Sequence, residues 1–328
     1  MRFFIIALFL SVNVFGQSAA ENIQWIDQLN LSGGFPEKLL STRTAVFYDY
    51  RFNAKDRTDA QSYFQRTGID AVVYFQLDML KAGADPSRAF SDFLMKREIQ
   101  NLVFMEIRDD ATYRLTVTLF NGKETIVDPK QNAWSTSNKV WTEALKTMYR
   151  SVGGLKKTNL LINDFPEMDG KVEPIVGRRN EFYAIDLKVD PLAVPKTGDA
   201  AVDAAVEEIF KANYPLKYKM TEPGLTEKEL RKQGSLYALC YIKCRAAAAK
   251  ELLGYDMTKS ESALVSVTYS SGQAQLKNIP SNTVVYKFYF KHIDSGNVFL
   301  GTKWDADYTF EQALLNQLKG LKAELKLN

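Results

Sequence analysis

The chain has 328 residues, 42 Lys and Arg against 39 Asp and Glu, and a net charge of +3. With 46% hydrophobic and 25% charged residues it has the composition of an ordinary soluble globular protein. The balanced charge contains no basic block, which argues against a nucleic-acid surface.

Residues 1–20, MRFFIIALFLSVNVFGQSAA, read as an export signal. Arg2 forms a short positive region, Phe3–Leu10 an apolar core, and Val14 and Gly16 suit the −3 and −1 pockets, placing cleavage before Gln17. The apolar run is shorter than the ~20 residues of a membrane span, and no Cys near the cut offers a lipid anchor. A mature chain of residues 17–328 suits two domains of roughly 100–200 residues each. The organisation expected is a signal peptide (1–16), an N-terminal lead (17–43), a first α/β module (44–152), a connector (153–180) and a second α/β module (181–328).

In the first module, Thr44–Tyr50 alternates and is rich in β-formers, so it predicts a strand. Arg57–Thr67 predicts a helix stopped by Gly68. Ile69–Leu77 is apolar enough for a strand covered on both faces. Asp85-Pro86 starts a helix through Glu98, with Asp85 as cap and Pro86 at the first helical position. Leu102–Ile107 and Tyr113–Phe120 predict neighbouring strands, and Val140–Val152 a closing helix. The connector is rich in Pro, Gly and acids, and its Leu160-Leu161-Ile162 implies that it packs.

The second module restarts with Glu181–Val189 as a strand. Asp199–Tyr214 predicts a helix, Pro215–Met220 a short strand, and Thr226–Gln233 a helix with the capping box Thr226/Glu229. Leu236–Ile242 is the next strand and Arg245–Leu253 an Ala-rich helix stopped by Gly254. Ala263–Tyr269 and Thr283–Ile293 are strands, and Thr309–Leu325 closes the chain as a helix. The fold class expected is therefore α/β (α+β): two related modules of mixed sheet with covering helices, in βαβαβ-βα order. An internal duplication is expected from this shared order, from Trp134 and Trp304, and from Glu143-Ala144-Leu145 beside Gln312-Ala313-Leu314.

Cys240 and Cys244 are the only cysteines. On a strand they share a face about 13 Å apart, too far for a disulfide; a turn or helix there would allow one in an oxidising compartment. With one His they make a Cys/His zinc site implausible.

The order β-α-β-α-β-β-α resembles the amino-terminal domain of TolB, in shape only. A fuller resemblance rests on GFPEKLLSTRTAVFYDY, LINDFPEMD, GRRNEFYAIDLKVDPLAVPK, AKELLGYDM and HIDSGNVFLGTKWDAD. These look like a family of uncharacterised secreted proteins of Bacteroidota whose members often carry an automatic "NTPase" label, and the signal ending in FGQ is similar to signals of that phylum. The resemblance brings no catalytic residues.

A nucleotide site of the P-loop kind needs Gly-x-x-x-x-Gly-Lys-Ser/Thr. Gly122-Lys123-Glu124 and Gly170-Lys171-Val172 lack both hydroxyl and leading glycine, and Gly153–Thr158 lacks the spacing. Gly177-Arg178-Arg179, with Asp186 following, offers a flexible backbone and two cationic forks, making Arg178 and Arg179 anion-binding candidates; surface charge is the plainer reading. Asp305 and Asp307 have the two-apart spacing of cation ligands, and with Asp294 form the metal candidate, Asp305 and Asp307 being the catalytic ones. Against this, Asp307 precedes a helix whose Thr309-x-x-Gln312 is itself a capping box. His292 reads as an exposed strand residue, since no Gly-x-Ser-x-Gly elbow accompanies it. Trp134 and Trp304 read as anchors for the helix after each.

The function expected is a secreted, non-catalytic envelope binding or scaffold protein, periplasmic by default with the extracellular side or cell surface as alternatives, partnering an envelope protein or itself, with no nucleic acid and no cofactor. The alternative is a metal-dependent phosphate-ester or nucleotide hydrolase without a P-loop, using Mg²⁺ and nucleotide. A third is carriage of a small ligand between the modules.

Overall fold

The computed structural model describes residues 21–159, 161–175, 178–257, 261–270 and 272–327. The expected export signal lies outside them. The chain folds as a mixed α/β structure.

The first sheet is built from β1 (Arg43–Tyr48), β2 (Asp70–Gln76), β3 (Ile99–Ile107), β4 (Tyr113–Leu119) and β5 (Ala133–Asn138). Its helices are α1 (Ala54–Thr67), α2 (Ala84–Lys96) and α3 (Trp141–Val152). β1 pairs in parallel with β2 and β3, whereas β4 runs antiparallel to β3 and β5, giving the order β2-β1-β3-β4-β5. Helix α1 begins a turn earlier than expected. Asn53 and Asp56 form a reciprocal capping box there, and Gly68 ends the helix at φ +96°. β5 was not foreseen, because AWSTSN lacks the apolar alternation that marks a strand.

The second half contains β6 (Arg179–Asn180), β7 (Leu192–Pro195), α4 (Ala200–Asn213), β8 (Tyr218–Thr221), α5 (Glu227–Lys232) and β9 (Tyr237–Arg245). Then come α6 (Ala246–Leu252), β10 (Ala263–Thr268), β11 (Gln275–Pro280), β12 (Val284–His292), β13 (Val298–Phe299) and α7 (Phe310–Glu324). The sheet order is β6-β13-β12-β9-β7-β8, and β10 with β11 forms a separate antiparallel ribbon. β7 is parallel to β8 and β9, and β12 is antiparallel to β9 and β13. Read from β8, the strands β8-β7-β9-β12-β13 repeat the order and directions of β2-β1-β3-β4-β5. Helix α6 and the β10–β11 ribbon are inserted between β9 and β12.

The expected strand over Glu181–Val189 does not form. That segment contains only a 3-10 turn, Ile185–Lys188, and leaves Phe182, Ile185 and Val189 exposed. The strand position beside β9 goes instead to β7, whose Leu192, Ala193 and Val194 are fully buried. An apolar run buried on both faces outcompetes one interrupted by Asp186 and Lys188.

Strand alternation divides the core into layers. Val46, Phe64, Val103 and Leu145 pack beneath α1 and α3 on the outer face of the first sheet. Phe210, Phe288, Phe290 and Leu314 do the same beneath α4 and α7 on the second. Between the sheets, Phe47, Phe75, Phe90 and Phe104 share one core with Ile242, Cys244, Ala249 and Tyr289. Helices α2, α5 and α6 lie in this middle layer, Leu230 of α5 resting on Ala193 and Ala238. α2 and α5 occupy corresponding places in the two βαβαβ runs.

Asp85 is not a cap. Gly83 takes that position, and the Asp85 carboxylate is drawn into the middle layer by Tyr289 Oη at 2.8 Å and Lys291 Nζ at 2.5 Å. A buried counter-charge outbids the cap bond of a solvated helix end. Thr309 does accept from the Gln312 amide, but the Gln312 side chain turns to Asn316 rather than back to the cap, so only half of that expected box forms. The connector does pack, though not through Leu161, which is 89% exposed, and Leu160 lies outside the described residues: Ile175 and Met168 join the cores, and Glu167 and Gly170 bond along β2.

Candidate functional site

Asp305 and Asp307 lie on the extended segment between β13 and α7, whose Asp307 bridges Tyr286 of β12 in antiparallel fashion. Both are buried, and each has its own lysine. Asp305 Oδ1 lies 2.6 Å from the Nζ of Lys287, which also donates to the Leu300 carbonyl at 3.0 Å and to Gln317 Oε1 at 2.7 Å. Burial raises the Asp305 pKa despite the attraction of Lys287, and burial lowers that of Lys287 despite Asp305. Asp307 takes Lys277 at 2.5 Å, the Thr268 hydroxyl at 2.9 Å, the Tyr308 amide at 2.8 Å and Asn316 at 3.3 Å. Both Asp307 oxygens are taken up by protein donors, and Asp305 turns one oxygen to Lys287.

Asp294 is exposed and pairs with Arg231 at 2.9 Å. Among the described residues no group of three His, Cys, Asp or Glu is arranged to hold a metal ion. Arg178 donates to the Ser295 carbonyl, and Arg179 lies 4.4 Å over the Tyr255 ring and 3.3 Å from Glu181. The two arginines thus serve different neighbours. Gly177, the backbone element of that expected site, lies outside the described residues.

His292 is half-buried, edge-on to Tyr237 at 4.9 Å, and its Nδ1 accepts from the Ser295 amide at 3.2 Å. Its hydrogen bonds close a turn. Trp134 sits on β5 and stacks on Phe35 at 4.3 Å, so it fastens the N-terminal lead rather than the next helix. Trp304 meets Tyr255 edge-on at 5.3 Å, just beyond α6.

Both cysteines lie on β9 and are free. They share its inward face, as the strand reading requires.

A crevice of about 690 Å³ opens where Lys81, Ala82 and Gly83 of the first half approach the second sheet. It lies beyond the carboxyl end of β7, between Thr197, Asp199 and the β9 residues Tyr241 and Lys243. The chain leaves β7 to one side for β8 and returns to the other for β9; such a switch point is where open α/β sheets receive ligands. Tyr241 and Tyr286 stand edge-on to Phe310, at 5.2 and 5.6 Å. Lys243 lies 5.3 Å from the Tyr286 ring and Lys81 4.9 Å from that of Trp25, burial lowering the Lys81 pKa. Two cations, an aromatic wall and the acids Asp199 and Glu311 suit a small polar ligand of mixed charge.

The sequence reading missed the buried lysines of β12, Lys287 and Lys291. Their signal was present in YKFYFKH, where Lys287 and Lys291 alternate with aromatics on one buried strand.

No family model matches the chain, and no curated protein matches it.

Proposed function

We propose that this protein is an exported, non-catalytic binding or scaffold protein of the cell envelope, acting on an envelope partner or on itself. The observation that carries this reading is the bonding of Asp305 and Asp307. Each carboxylate is buried against a dedicated lysine, so both act as braces holding the segment before α7 in place. The shared middle core supports it further by making one continuous body with sheet edges and a crevice to present. The matching order and direction of the two sheets supports an origin by internal duplication.

The alternative, Mg²⁺-dependent hydrolysis of nucleotides or phosphate esters, would require Asp305 or Asp307 to exchange its lysine for the metal. The test is phosphate release from ATP and GTP by residues 17–328, with Mg²⁺ and with EDTA, beside a nucleotide melting-temperature shift. We expect neither turnover nor shift. Metal-dependent turnover abolished by Asp307→Asn in a variant of unchanged melting temperature would replace this reading with the hydrolase.

A further inference from the structure

Three of the sheet edges can be compared through the matching topology. At β2, the connector runs alongside in parallel: the Tyr74 amide donates to the Glu167 carbonyl at 2.8 Å, the Glu167 amide to Val72 at 3.1 Å, and the Gly170 amide to Tyr74 at 2.8 Å. At β5, residues 30–32 of the N-terminal lead bridge Asn132 and Trp134. The first sheet is thereby covered on both sides by the chain itself, the usual protection of an exposed edge.

β8 is the counterpart of β2 and lies at the edge of the second sheet. The Leu192 amide donates to the Lys217 carbonyl and the Lys196 amide to that of Thr221, so residues 217, 219 and 221 face β7. By the alternation of a parallel ladder, Tyr218 and Met220 then turn their N–H and C=O outward. These are the counterparts of Val72 and Tyr74. Among the described residues no backbone group bonds to them from that side.

The side chains beside the two edges differ in a way that points to an occupant. The strand added to β2 is acidic, and its acids meet arginines: Glu167 with Arg97 at 2.7 Å and Asp169 with Arg57 at 3.0 Å. The edge of β8 carries exposed Lys217 and Lys219, the latter bonded to Gln233 at 3.3 Å. We infer that β8 receives an acidic, extended peptide segment of a partner protein by parallel strand addition, as β2 receives the connector. Main-chain bonds to Tyr218 and Met220 supply the affinity, and the lysines select acidic side chains. This rests on the binding reading above and names the chemistry of the partner.

The probe is a fluorescein-labelled peptide, LINDFPEMDGK, the sequence of residues 161–171, titrated into residues 17–328 at two salt concentrations. Saturable binding that weakens with salt is expected, with amide exchange slowed at Tyr218 and Met220. Met220→Pro removes an outward N–H and no ladder bond; it should weaken binding at least about tenfold, beside a Met220→Ala control that gives up the same packing against the second core but keeps the N–H. Lys217→Glu/Lys219→Glu should do the same without touching the backbone. The inference is overturned by absence of saturable binding up to about 1 mM peptide, or by binding that neither variant changes. A chain that dimerises, and that Met220→Pro returns to monomer, would overturn it in favour of a second copy at β8. Peptide binding together with ATP turnover would instead remove the non-catalytic reading and leave β8 standing.

Discussion

Lys291 Nζ lies 2.5 Å from Asp85 Oδ1 and 2.9 Å from Glu227 Oε1. One cation of the second sheet thus holds an acid from each of α2 and α5, the corresponding helices of the two halves. Arg88 of α2 reaches Glu227 as well, at 2.9 Å. Charges held this way inside a middle layer join the halves.

The first prediction concerns pH. For Glu227, burial pushes the pKa up, but the bonds from Lys291 and Arg88 outweigh it and hold the carboxyl below its ordinary 4.5. A depressed carboxylate contributes stability that is present above its unfolded pKa and lost as pH falls through the folded one. For Lys291, burial pulls the pKa down, but Asp85 and Glu227 raise it above 10.5, so its contribution is lost only as pH rises beyond that value. The melting temperature should therefore fall as pH drops below 4.5, and Glu227→Gln should flatten that fall. A Glu227→Gln curve parallel to wild type would remove Glu227 from the account.

The second concerns the Lys287–Asp305 brace. Asp305→Ala leaves a fully buried lysine without its counter-charge and should cost about 3–5 kcal/mol. Lys287→Met/Asp305→Leu removes both charges and should recover part of that loss. Urea unfolding of the single and double variants checks this; a double variant as unstable as the sum of both singles would contradict the brace.

The third concerns the junction of the halves. A Cβ on Gly83 would stand 2.5 Å from the Tyr241 carbonyl oxygen and 3.3 Å from Ile242 Cγ2. Because the first obstacle is strand backbone, it cannot rotate away. Gly83→Ala should destabilise by about 1–3 kcal/mol, whereas Gly122→Ala, with open space around it but φ +72°, should lose only about 1 kcal/mol. Thermal unfolding of the two variants side by side gives the comparison.

The fourth concerns the thiols. Burial raises the pKa of Cys240 and of Cys244, so neither should react readily with a thiol reagent at neutral pH. In denaturant, two thiols per chain should titrate, even after purification under oxidising conditions. A single sulfur–sulfur bridge, seen as a loss of two mass units, would refute the free pair.

Much of the framework followed from local pattern. Gly68 and the Thr226/Glu229 pair act at helix ends through neighbours within a few residues, so their roles are written in adjacent sequence, whereas the Asn53 cap lay a turn before the expected helix start. The long strands β9 and β12 were legible because their runs of aromatic and β-branched residues mark strands covered on both faces. AWSTSN and QLKNIP were not, since β5 and β11 owe their pairing to β4 and β10 rather than to their own propensity.

The candidate site was legible only as a set of residue types. Sequence spacing identified Asp305 and Asp307 but could not say that Lys287, eighteen residues earlier, and Lys277, thirty residues earlier, would consume their charge. Nor could it place Asp85, which reads as a cap and serves as an ion-pair partner more than two hundred residues away from Lys291. By itself the sequence determined where most helices and long strands form, because those depend on periodicity and caps, but not the run 181–189, where pairing favoured β7. The tertiary structure decided which charges meet, which edges are covered and that the two halves share a core, because burial and pairing across long separations depend on the packing of the whole chain.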